Sequence, residues 1–294
     1  MKTYFHFMKF TGRLVFGALI ITVISSICMP AAAQSYFSDR VEKTWQSDPV
    51  FNVPESVFYY PDNDMVFVAN INGKPTDRDE NGFISQLEPD GTIVRLEWIT
   101  GLHAPKGMNT YDGKLYVADI YRVAEIDINK RKIIRFYEAD GAEFLNDIVT
   151  DDDGNVYITD MSKGSVYRIS NGEISEWIPA GTFNNSNGVY YLDGMIYLGE
   201  NGRILSINPD TKEMKTIAEF DGGVDGLEID KNGNFIFSDW SGKVQMVEPG
   251  GKPTVLFNTT DEKINAADIH LIRDHNILLV PTFFDNRIMA YKIK

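Results

Sequence analysis

Six positions that recur along the sequence carry the side chains best suited to chemistry. Each is the first residue of a polar pair, and an apolar run follows each pair. The pairs recur about every forty residues. Their first members are, in chain order, Glu55, Lys106, Asn146, Asn187, Asp225 and Ala267. If the fold brings these positions together, two carboxylates and two amide carbonyls offer the oxygen ligands that a hard cation such as Ca²⁺ prefers. The alternative is that the same polar residues only hydrate the mouth of a channel.

The sequence between the pairs predicts short strands and tight turns. After each pair comes an apolar strand, then a second strand that ends in a polar residue, as in residues 156–160; third and fourth strands follow, as in 165–169 and 173–177. Glycine adopts the positive φ of tight hairpins, and it follows Asp or Asn at Asp112-Gly113, Asp153-Gly154, Asn171-Gly172, Asp193-Gly194 and Asn232-Gly233. Four strands in each of six repeats predict an all-β fold, a six-bladed β-propeller with four-stranded blades.

A propeller would position the candidate residues, and its ring needs a closing strand. The first strand of each blade lies nearest the axis, so the six pairs are expected to face one central mouth. The last repeat has only three clear strands, whereas residues 41–46 precede the first repeat without a partner. We expect this N-terminal strand to close the last blade, because closure removes an open sheet edge. Residues 34–294 then form a single six-bladed domain.

The first 33 residues have the three-part layout of a secretory signal peptide. Residues 1–13 carry only positive charges, residues 14–24 are apolar, and a run of alanines ends at Ala33. Cleavage after that alanine would export the mature chain to the periplasm or beyond. A retained membrane anchor and lipidation at Cys28 are the alternatives, although the apolar run is short for a membrane span.

Charge and cysteine content bound the classes of partner. The chain has a formal net charge of −14 and a single cysteine, Cys28. An acidic chain of this kind is not expected to bind nucleic acid or an anionic membrane face, whereas it suits a cation. Because Cys28 lies in the predicted signal peptide, we expect neither a disulfide nor a thiolate site in the mature protein. We expect the partner to be a small molecule, and we expect no stable membrane insertion after cleavage.

Four motifs carry a resemblance to a known family. They are Pro54-Glu55-Ser56-Val57, Asn146-Asp147, Asn187-Gly188 and Asp225-Gly226. In this order and at blade spacing they resemble the gluconolactonase, regucalcin and senescence-marker-protein family of six-bladed propellers over the whole mature chain, with diisopropyl-fluorophosphatase-like and paraoxonase-like enzymes as more distant relatives.

The resemblance implies a metal-dependent hydrolase of a lactone or related ester. It implies that Glu55, Asn187 and Asp225 ligate one divalent cation, most simply Ca²⁺, and that Asn146 lies beside it, in contact with metal, bound water or substrate. The cation would polarise the carbonyl, and Asp225 would orient or deprotonate the attacking water. The alternative class is a non-catalytic exported propeller that binds a ligand or protein at the same mouth, with a structural metal, because a fold does not fix a function.

Three further residues are candidates for contacting the substrate. Phe144 stands where sugar-acid lactonases of this family carry an arginine, so a simple gluconolactone specificity is not expected. Lys106 is the candidate replacement cation, with a solvated rim lysine as the alternative. His103 lies three residues earlier and is either a second contact at the mouth or a surface hydrogen-bonding residue.

Residues 77–88 match the pattern of a calcium-binding loop in every position. The flanks, however, predict strands, and an extended run after Asn81 places Glu88 on the order of 15–20 Å from the start of the loop. A partial, second metal site at Asp77, Asp79 and Asn81 is one interpretation, and a long hairpin is the other.

Two other sets of residues are expected to serve the fold or the rim. Acidic residues recur at the ends of second strands, too regularly for one site, and are interpreted as hydrogen-bonding groups, with the alternative that one of them lines the pocket: Asp119, Asp160, Glu200 and Asp239. Phe284 and Asp285 follow the second strand of the last repeat and are candidates for a wall beside the substrate.

Overall fold

The structure, a computed structural model, describes residues 1–2 and 36–294. The chain divides into two units, Met1–Ala32 and Ala33–Lys294, and the strands of the described residues belong to the second. The predicted signal peptide lies outside the described residues except for its first two. Within the described part of the chain, no helix has the length and apolar character needed to cross a membrane.

The described residues form six antiparallel sheets, which are the predicted blades. Strands β1 (Tyr36–Phe37) and β2 (Val41–Gln46) come first. Blade 1 contains β3 (Pro54–Tyr60), β4 (Met65–Asn70), β5 (Gly82–Leu87) and β6 (Ile93–Leu102); blade 2 contains β7 (Pro105–Tyr111), β8 (Lys114–Asp119), β9 (Arg122–Asp127) and β10 (Lys132–Glu138). Blade 3 contains β11 (Leu145–Thr150), β12 (Val156–Asp160), β13 (Ser165–Ser170) and β14 (Glu173–Ile178).

The second half of the chain repeats this plan. Blade 4 contains β15 (Val189–Leu192), β16 (Met195–Glu200), β17 (Arg203–Ile207) and β18 (Met214–Glu219); blade 5 contains β19 (Leu227–Ile229), β20 (Phe235–Asp239), β21 (Lys243–Val247) and β22 (Thr254–Asn258). Blade 6 contains β23 (His270–Ile272), β24 (Ile277–Pro281) and β25 (Ile288–Ile293). The six-bladed β-propeller predicted from the repeat is confirmed.

The N-terminal strand closes the ring as predicted. Strand β2 pairs antiparallel with β25, so that Val41 lies opposite Ile293. The structure adds a strand that the sequence analysis did not foresee, because β1 pairs with the outer strand β22 of blade 5. Phe37 of β1 stacks on Phe257 of blade 5 at 5.6 Å and on Tyr291 of blade 6 at 6.0 Å. The N-terminal segment therefore fastens two neighbouring blades as well as completing one.

Six hydrophobic clusters lie between neighbouring blades. Between blades 6 and 1, for example, Val57 and Val68 pack with Leu279 and Ala290. These side chains alternate along their strands with residues of the other face, and full burial of each large one contributes about 1.5–3 kcal/mol. The ring is thus held by a repeated interface, which fixes the inner strands around the axis.

Glycine in the polar pairs lets the inner strands of neighbouring blades approach. A Cβ at Gly188 would lie 2.6 Å from the carbonyl oxygen of Asp225 in the next blade. Gly107 and Gly226 are equally close to the next blade, since a Cβ added at either would lie under 3.0 Å from backbone or carboxylate atoms there. This close approach is the physical reason for the Asn-Gly and Asp-Gly motifs.

Candidate active site

β-Bulges place the polar pairs of the first three blades at the mouth. In β3 the register shifts between Pro54 and Ser56, so Glu55 is the extra residue; similar shifts flank the pairs that begin at Lys106 and Asn146. A bulge bends its strand and re-aims the side chains that it contains. The sequence between pairs therefore forms regular strands, whereas the pairs themselves leave the regular pattern where function requires it.

The recurrent acids at the ends of second strands hold the loops that lead into the pairs. Oδ1 of Asp119 accepts hydrogen bonds from the backbone N–H groups of His103 and Ala104, at 2.8 and 2.9 Å. Asp160 accepts the N–H of Phe144 at 3.2 Å in the same way. The predicted structural role of these two acids is confirmed, and through it they position the neighbouring site residues.

The mouth opens into a cavity of about 430 Å³, which lies in the usual size range of small-molecule sites. Asp239 and Phe284 line it, and it brings together six further residues singled out in the sequence: Glu55, Lys106, Phe144, Asn146, Asn187 and Asp225. These six residues come from five blades, and all except Phe144 are buried. The geometric requirement of the predicted site, that Glu55 and Asp225 share one environment, is met.

Side-chain hydrogen bonds leave oxygen atoms available in this cavity. The amide nitrogen of Asn187 donates to Oδ1 of Asp225 at 2.7 Å, and that of Asn146 approaches the sulfur of Met161 at 3.6 Å. Each contact uses the N–H₂ end of the amide, so the carbonyl oxygen remains for another partner. Oε2 of Glu55 is buried and has no hydrogen-bond partner among the described residues. An unpaired buried carboxylate oxygen is costly unless a ligand satisfies it.

Burial makes the carboxyl groups of the mouth weak acids. The pKa of Glu55 is raised well above its usual value, first by burial and then by the charge of Asp225, whereas the charge of Lys106 lowers it. Burial raises the pKa of Asp225 to about 7, against the hydrogen bond from Asn187, which lowers it. Both shifts indicate that a positive charge is needed if these groups are to be ionised together at neutral pH.

Two more buried carboxyl groups, which the sequence analysis did not select, extend this acidic region. Burial raises the pKa of Asp147 to about 8, although two backbone N–H groups donate to its oxygens. The pKa of Asp268 is also raised well above its usual value, first by burial and then by Asp147 and Glu55. Both are second members of a polar pair, and this shared position is the signal that identifies them.

Lys106 is buried rather than solvated. Lys106 is only 1% exposed. Its ammonium donates to the carbonyl oxygens of Pro75 and Ala104, both at 2.9 Å. The ammonium also lies 4.6 Å from the centre of the Phe144 ring. Burial lowers the pKa of Lys106 to about 8. The interpretation of Lys106 as a solvated lysine at the rim is therefore wrong. Its one positive charge lies in a region with four buried carboxyl groups, those of Glu55, Asp147, Asp225 and Asp268.

The donor set of the mouth fits a hard cation. Among residues 1–2 and 36–294, no group of three or more His, Cys, Asp or Glu side chains is arranged to hold a metal ion. The mouth instead combines two carboxylates with two amides. All four offer oxygen, one buried oxygen of Glu55 lacks a partner, and the surroundings carry excess negative charge. Each of these properties favours a cation of the calcium type.

The sequence comparison identifies the family. The region described as SMP-30/Gluconolactonase/LRE-like matches residues 53–265, which include the donor residues Glu55, Asn146, Asn187 and Asp225. The chain belongs to this family. None of the curated proteins compared with it matches the chain.

Solved structures show the same fold for this SMP-30/gluconolactonase-family chain. A streptogramin B lyase shares 14% identity at a TM-score of 0.63, covering 88% of this chain and 98% of its own. A gluconolactonase from Xanthomonas campestris shares 13% identity at a TM-score of 0.66, covering 90% of this chain and 99% of its own. At these identities the likeness concerns the fold alone.

His103 lies outside the cavity lining of this family member. Its Nδ1 accepts the backbone N–H of Glu80 at 3.2 Å, and its Nε2 lies 3.2 Å from the hydroxyl of Tyr121. The ring therefore ties the loop before β5 to blade 2. A contact between His103 and a substrate stays a prediction.

The loop with the calcium-binding pattern is part of a long hairpin. Strand β5 spans all the residues between Asn81 and Glu88, so the glutamate is separated from the loop as expected. Asp77, Asp79 and Asn81 lie close together, because Oδ2 of each aspartate and Nδ2 of Asn81 are 3.6–4.0 Å from the place a Cβ on Gly73 would take. That nitrogen donates to Oδ2 of Asp79 at 2.7 Å. The partial second metal site at these three residues stays a prediction.

Proposed function

We propose that this SMP-30/gluconolactonase-family chain is a calcium-dependent hydrolase of lactones or related esters. One observation carries the proposal. Glu55 and Asp225, which lie in different blades, are buried and line one cavity with the buried amides of Asn146 and Asn187, and Oε2 of Glu55 has no hydrogen-bond partner among the described residues. Buried acidic groups of this kind need a cation or protons, and oxygen donors select a hard cation.

Four residues would hold the metal: Glu55, Asn146, Asn187 and Asp225. When bound, a divalent cation supplies polarisation of the ester carbonyl and stabilisation of the negative charge that develops on its oxygen. The hydrogen bond from Asn187 holds Asp225 in one orientation. Asn146, beside Met161, keeps its carbonyl oxygen free for the cation or for a bound water.

Asp225 is the proposed proton acceptor. Its carboxylate lines the cavity and is held in one orientation by Asn187, so it can accept a proton from a water that enters there. Asp225 takes a proton from water while the water oxygen forms a bond to the carbonyl carbon. The ester C–O bond then breaks, and the proton returns from Asp225 to the leaving oxygen. The products are a carboxylic acid and an alcohol, which for a lactone are parts of one hydroxy acid.

A lactone and ester panel tests the proposal. Turnover is expected with Ca²⁺, is expected to stop with a chelator, and should return when Ca²⁺ is restored. Asp225→Ala is expected to lose at least about a hundredfold in kcat, whereas the surface variant Asp274→Asn should retain activity. Turnover that ignores the chelator, or that survives Asp225→Ala, contradicts the mechanism. Calcium binding without any turnover favours the non-catalytic ligand-binding propeller.

Export is part of the same proposal. The charged, apolar and alanine segments that end at Ala33 support cleavage there and delivery to the periplasm or beyond. Mass spectrometry of the protein from the exported fraction should give a chain that begins at Gln34. A full-length chain retained in the membrane fraction contradicts cleavage.

A further inference from the structure

Three aromatic residues, Trp240, Phe283 and Phe284, form one side of the cavity and are called the aromatic wall. Their ring centres lie 4.8–5.9 Å apart, with interplanar angles of 79–87°. Edge-to-face packing of this kind is favourable and fixes the rings relative to one another. The aromatic wall is therefore a rigid apolar surface rather than a set of independent side chains.

Two of the three residues of the aromatic wall are exposed to solvent, although large apolar side chains are usually buried. Trp240 is 44% exposed and Phe284 is 64% exposed, whereas Phe283 beneath them is buried. Adjacent exposed aromatics at a concave mouth indicate a surface that a ligand covers. The wall lines the same cavity as the buried acidic groups, so the ligand that covers it is the molecule that enters that cavity.

The backbone under the aromatic wall is held in a costly conformation. Phe283 has a φ of 50°, in the left-handed region that bulky residues avoid. Thr282 and Arg287 exchange two 2.9 Å hydrogen bonds across this turn, and Asn286 accepts the N–H of Val53 at 2.9 Å. Strained backbone that its surroundings enforce is concentrated at ligand sites. The turn presents Phe284 at the mouth in consequence.

The other sides of the cavity offer few polar partners beyond the proposed metal donors. Ile71, Phe144, Met161 and Val224 are apolar, and two of the three ammonium donors of Lys106 are used by backbone carbonyls. The remaining polar side chains of the lining are Asn185 and Asp239, which are partly exposed. A sugar lactone carries hydroxyl groups around its ring, and each needs a partner to replace water. A site with few such partners discriminates against such a substrate.

We propose that the substrate is a lactone or ester that carries an alkyl or aryl substituent, which lies against Trp240 and Phe284. The inference rests on the proposed function for its chemical step and adds the class of substrate. The reacting carbonyl lies at the acidic end of the cavity, and the substituent extends along the aromatic wall toward solvent. Phe144 adds a further apolar side chain to the lining of the same cavity.

A chain-length series measures this preference through turnover. Unsubstituted γ-butyrolactone, its γ-alkyl derivatives of increasing length and gluconolactone are compared in the presence of Ca²⁺. Each added methylene is expected to raise kcat/KM by roughly fourfold until the chain passes the wall. Phe284→Ala and Trp240→Ala should flatten this dependence, so that long-chain and unsubstituted lactones approach the same kcat/KM. Tyr36→Ala, an exposed aromatic on the outer edge of blade 5, is the matched control and should keep the dependence.

A binding measurement separates this inference from the proposed hydrolysis. The probes are the corresponding γ-alkyl lactams, which resist hydrolysis, and their Kd values are measured by calorimetry with Ca²⁺ present. Tighter binding with chain length, lost in Phe284→Ala, supports the apolar subsite even if no ester is turned over, in which case only the hydrolase proposal fails. Turnover of gluconolactone with no gain from alkyl chains, or a gain that both wall variants retain, overturns the inference and leaves the hydrolase intact. Absence of any chain-length effect on lactam binding overturns it as well.

Discussion

The side-chain amide of Asn187 donates a 2.7 Å hydrogen bond to Oδ1 of Asp225, although 38 residues separate them in the chain. The bond crosses from blade 4 to blade 5 at the axis of the ring. It uses one oxygen of the carboxylate and the nitrogen of the amide, so both residues keep an oxygen for a cation. The contact therefore positions two proposed metal ligands relative to one another before any metal binds.

Removing that contact should weaken the metal site more than the fold. Asn187→Ala is expected to lower calcium affinity by roughly 10–100-fold, because it deletes one donor and the group that orients another. Isothermal titration with Ca²⁺ measures the change. The control is Asn185→Gly, which removes a cavity-lining amide outside the donor set and keeps the positive φ of 62° at that position. Equal affinities of wild type and Asn187→Ala would contradict the assignment of Asn187.

Calcium should stabilise the propeller through Glu55. At a concentration 100 times its Kd, a ligand that binds only the folded state adds about 2.7 kcal/mol, which for a domain of this size is about 5–10 °C in Tm. Glu55→Gln is expected to lose most of this gain, because the unpaired buried oxygen becomes part of a neutral amide. Differential scanning calorimetry with Ca²⁺ and with chelator gives both values. Glu138→Gln, on the exposed face of β10, should behave as wild type.

Without metal, stability should fall as the pH rises from about 4 to about 8. The folded pKa values of Asp225 and Asp147 are about 7 and about 8, whereas the unfolded values lie near 3.9. In this window the folded chain keeps protons that the unfolded chain has released, so raising the pH favours unfolding. The loss from Asp225 is complete by about pH 8, and that from Asp147 about one pH unit higher.

Urea unfolding at pH 5 and pH 8 in the presence of chelator measures this dependence. The midpoint is expected to be lower at pH 8 for wild type and for the surface variant Asp274→Asn. Asp147→Asn should reduce the difference between the two pH values, even though it also weakens one backbone hydrogen bond. A wild-type midpoint that rises from pH 5 to pH 8 without metal would refute the prediction.

Gly226→Ala should destabilise the ring at the contact between blades 5 and 6. The added methyl would lie under 3.0 Å from the backbone of Ile269 and from the carboxylate of Asp268, and neither atom has room to move. Overpacking of this kind costs about 1–3 kcal/mol, and more where backbone must shift. Gly73→Ala is the matched control, because its methyl meets only side-chain atoms at 3.6 Å or more. Chemical denaturation should separate the two variants by at least about 2 kcal/mol.

Deleting residues 34–50 should leave the ring open. The deletion removes β2, so β25 loses its antiparallel partner and becomes an exposed edge that promotes aggregation. A shorter deletion of residues 34–37 removes only β1 and is expected to cost less, since blade 6 keeps its fourth strand. Thermal unfolding and light scattering compare the two deletions. A Tm unchanged by the longer deletion would mean that closure by β2 is dispensable.

The fold was predictable from sequence because one plan is repeated six times. The spacing of the pairs, the Asp-Gly and Asn-Gly turns and the unpartnered segment 41–46 each follow from local strand chemistry. Strand β1 escaped prediction because two residues carry no periodicity. Its pairing depends on Phe37 meeting Phe257 and Tyr291, which are far away in the chain.

The candidate site was predictable only in part. The donors Glu55, Asn146, Asn187 and Asp225 could be found because each occupies the first place of a pair. Asp147 and Asp268 occupy the second place, whose burial depends on how closely neighbouring blades approach, and nothing local reports that distance. Trp240 of the aromatic wall follows Asp239 at a repeated position, but nothing local reports its contact with Phe284, so only the folded ring shows that the two meet.

The pairing of β2 with β25 has a consequence for the order in which the molecule can be completed. Strand β2 precedes all six blades in the chain and its partner β25 belongs to blade 6, so the ring cannot shut until β25 has been synthesised. Until then β2 has no partner and blade 6 lacks the strand that joins it to the N-terminal segment. A ring closed by strands so far apart in the chain therefore completes late, after all six blades are available.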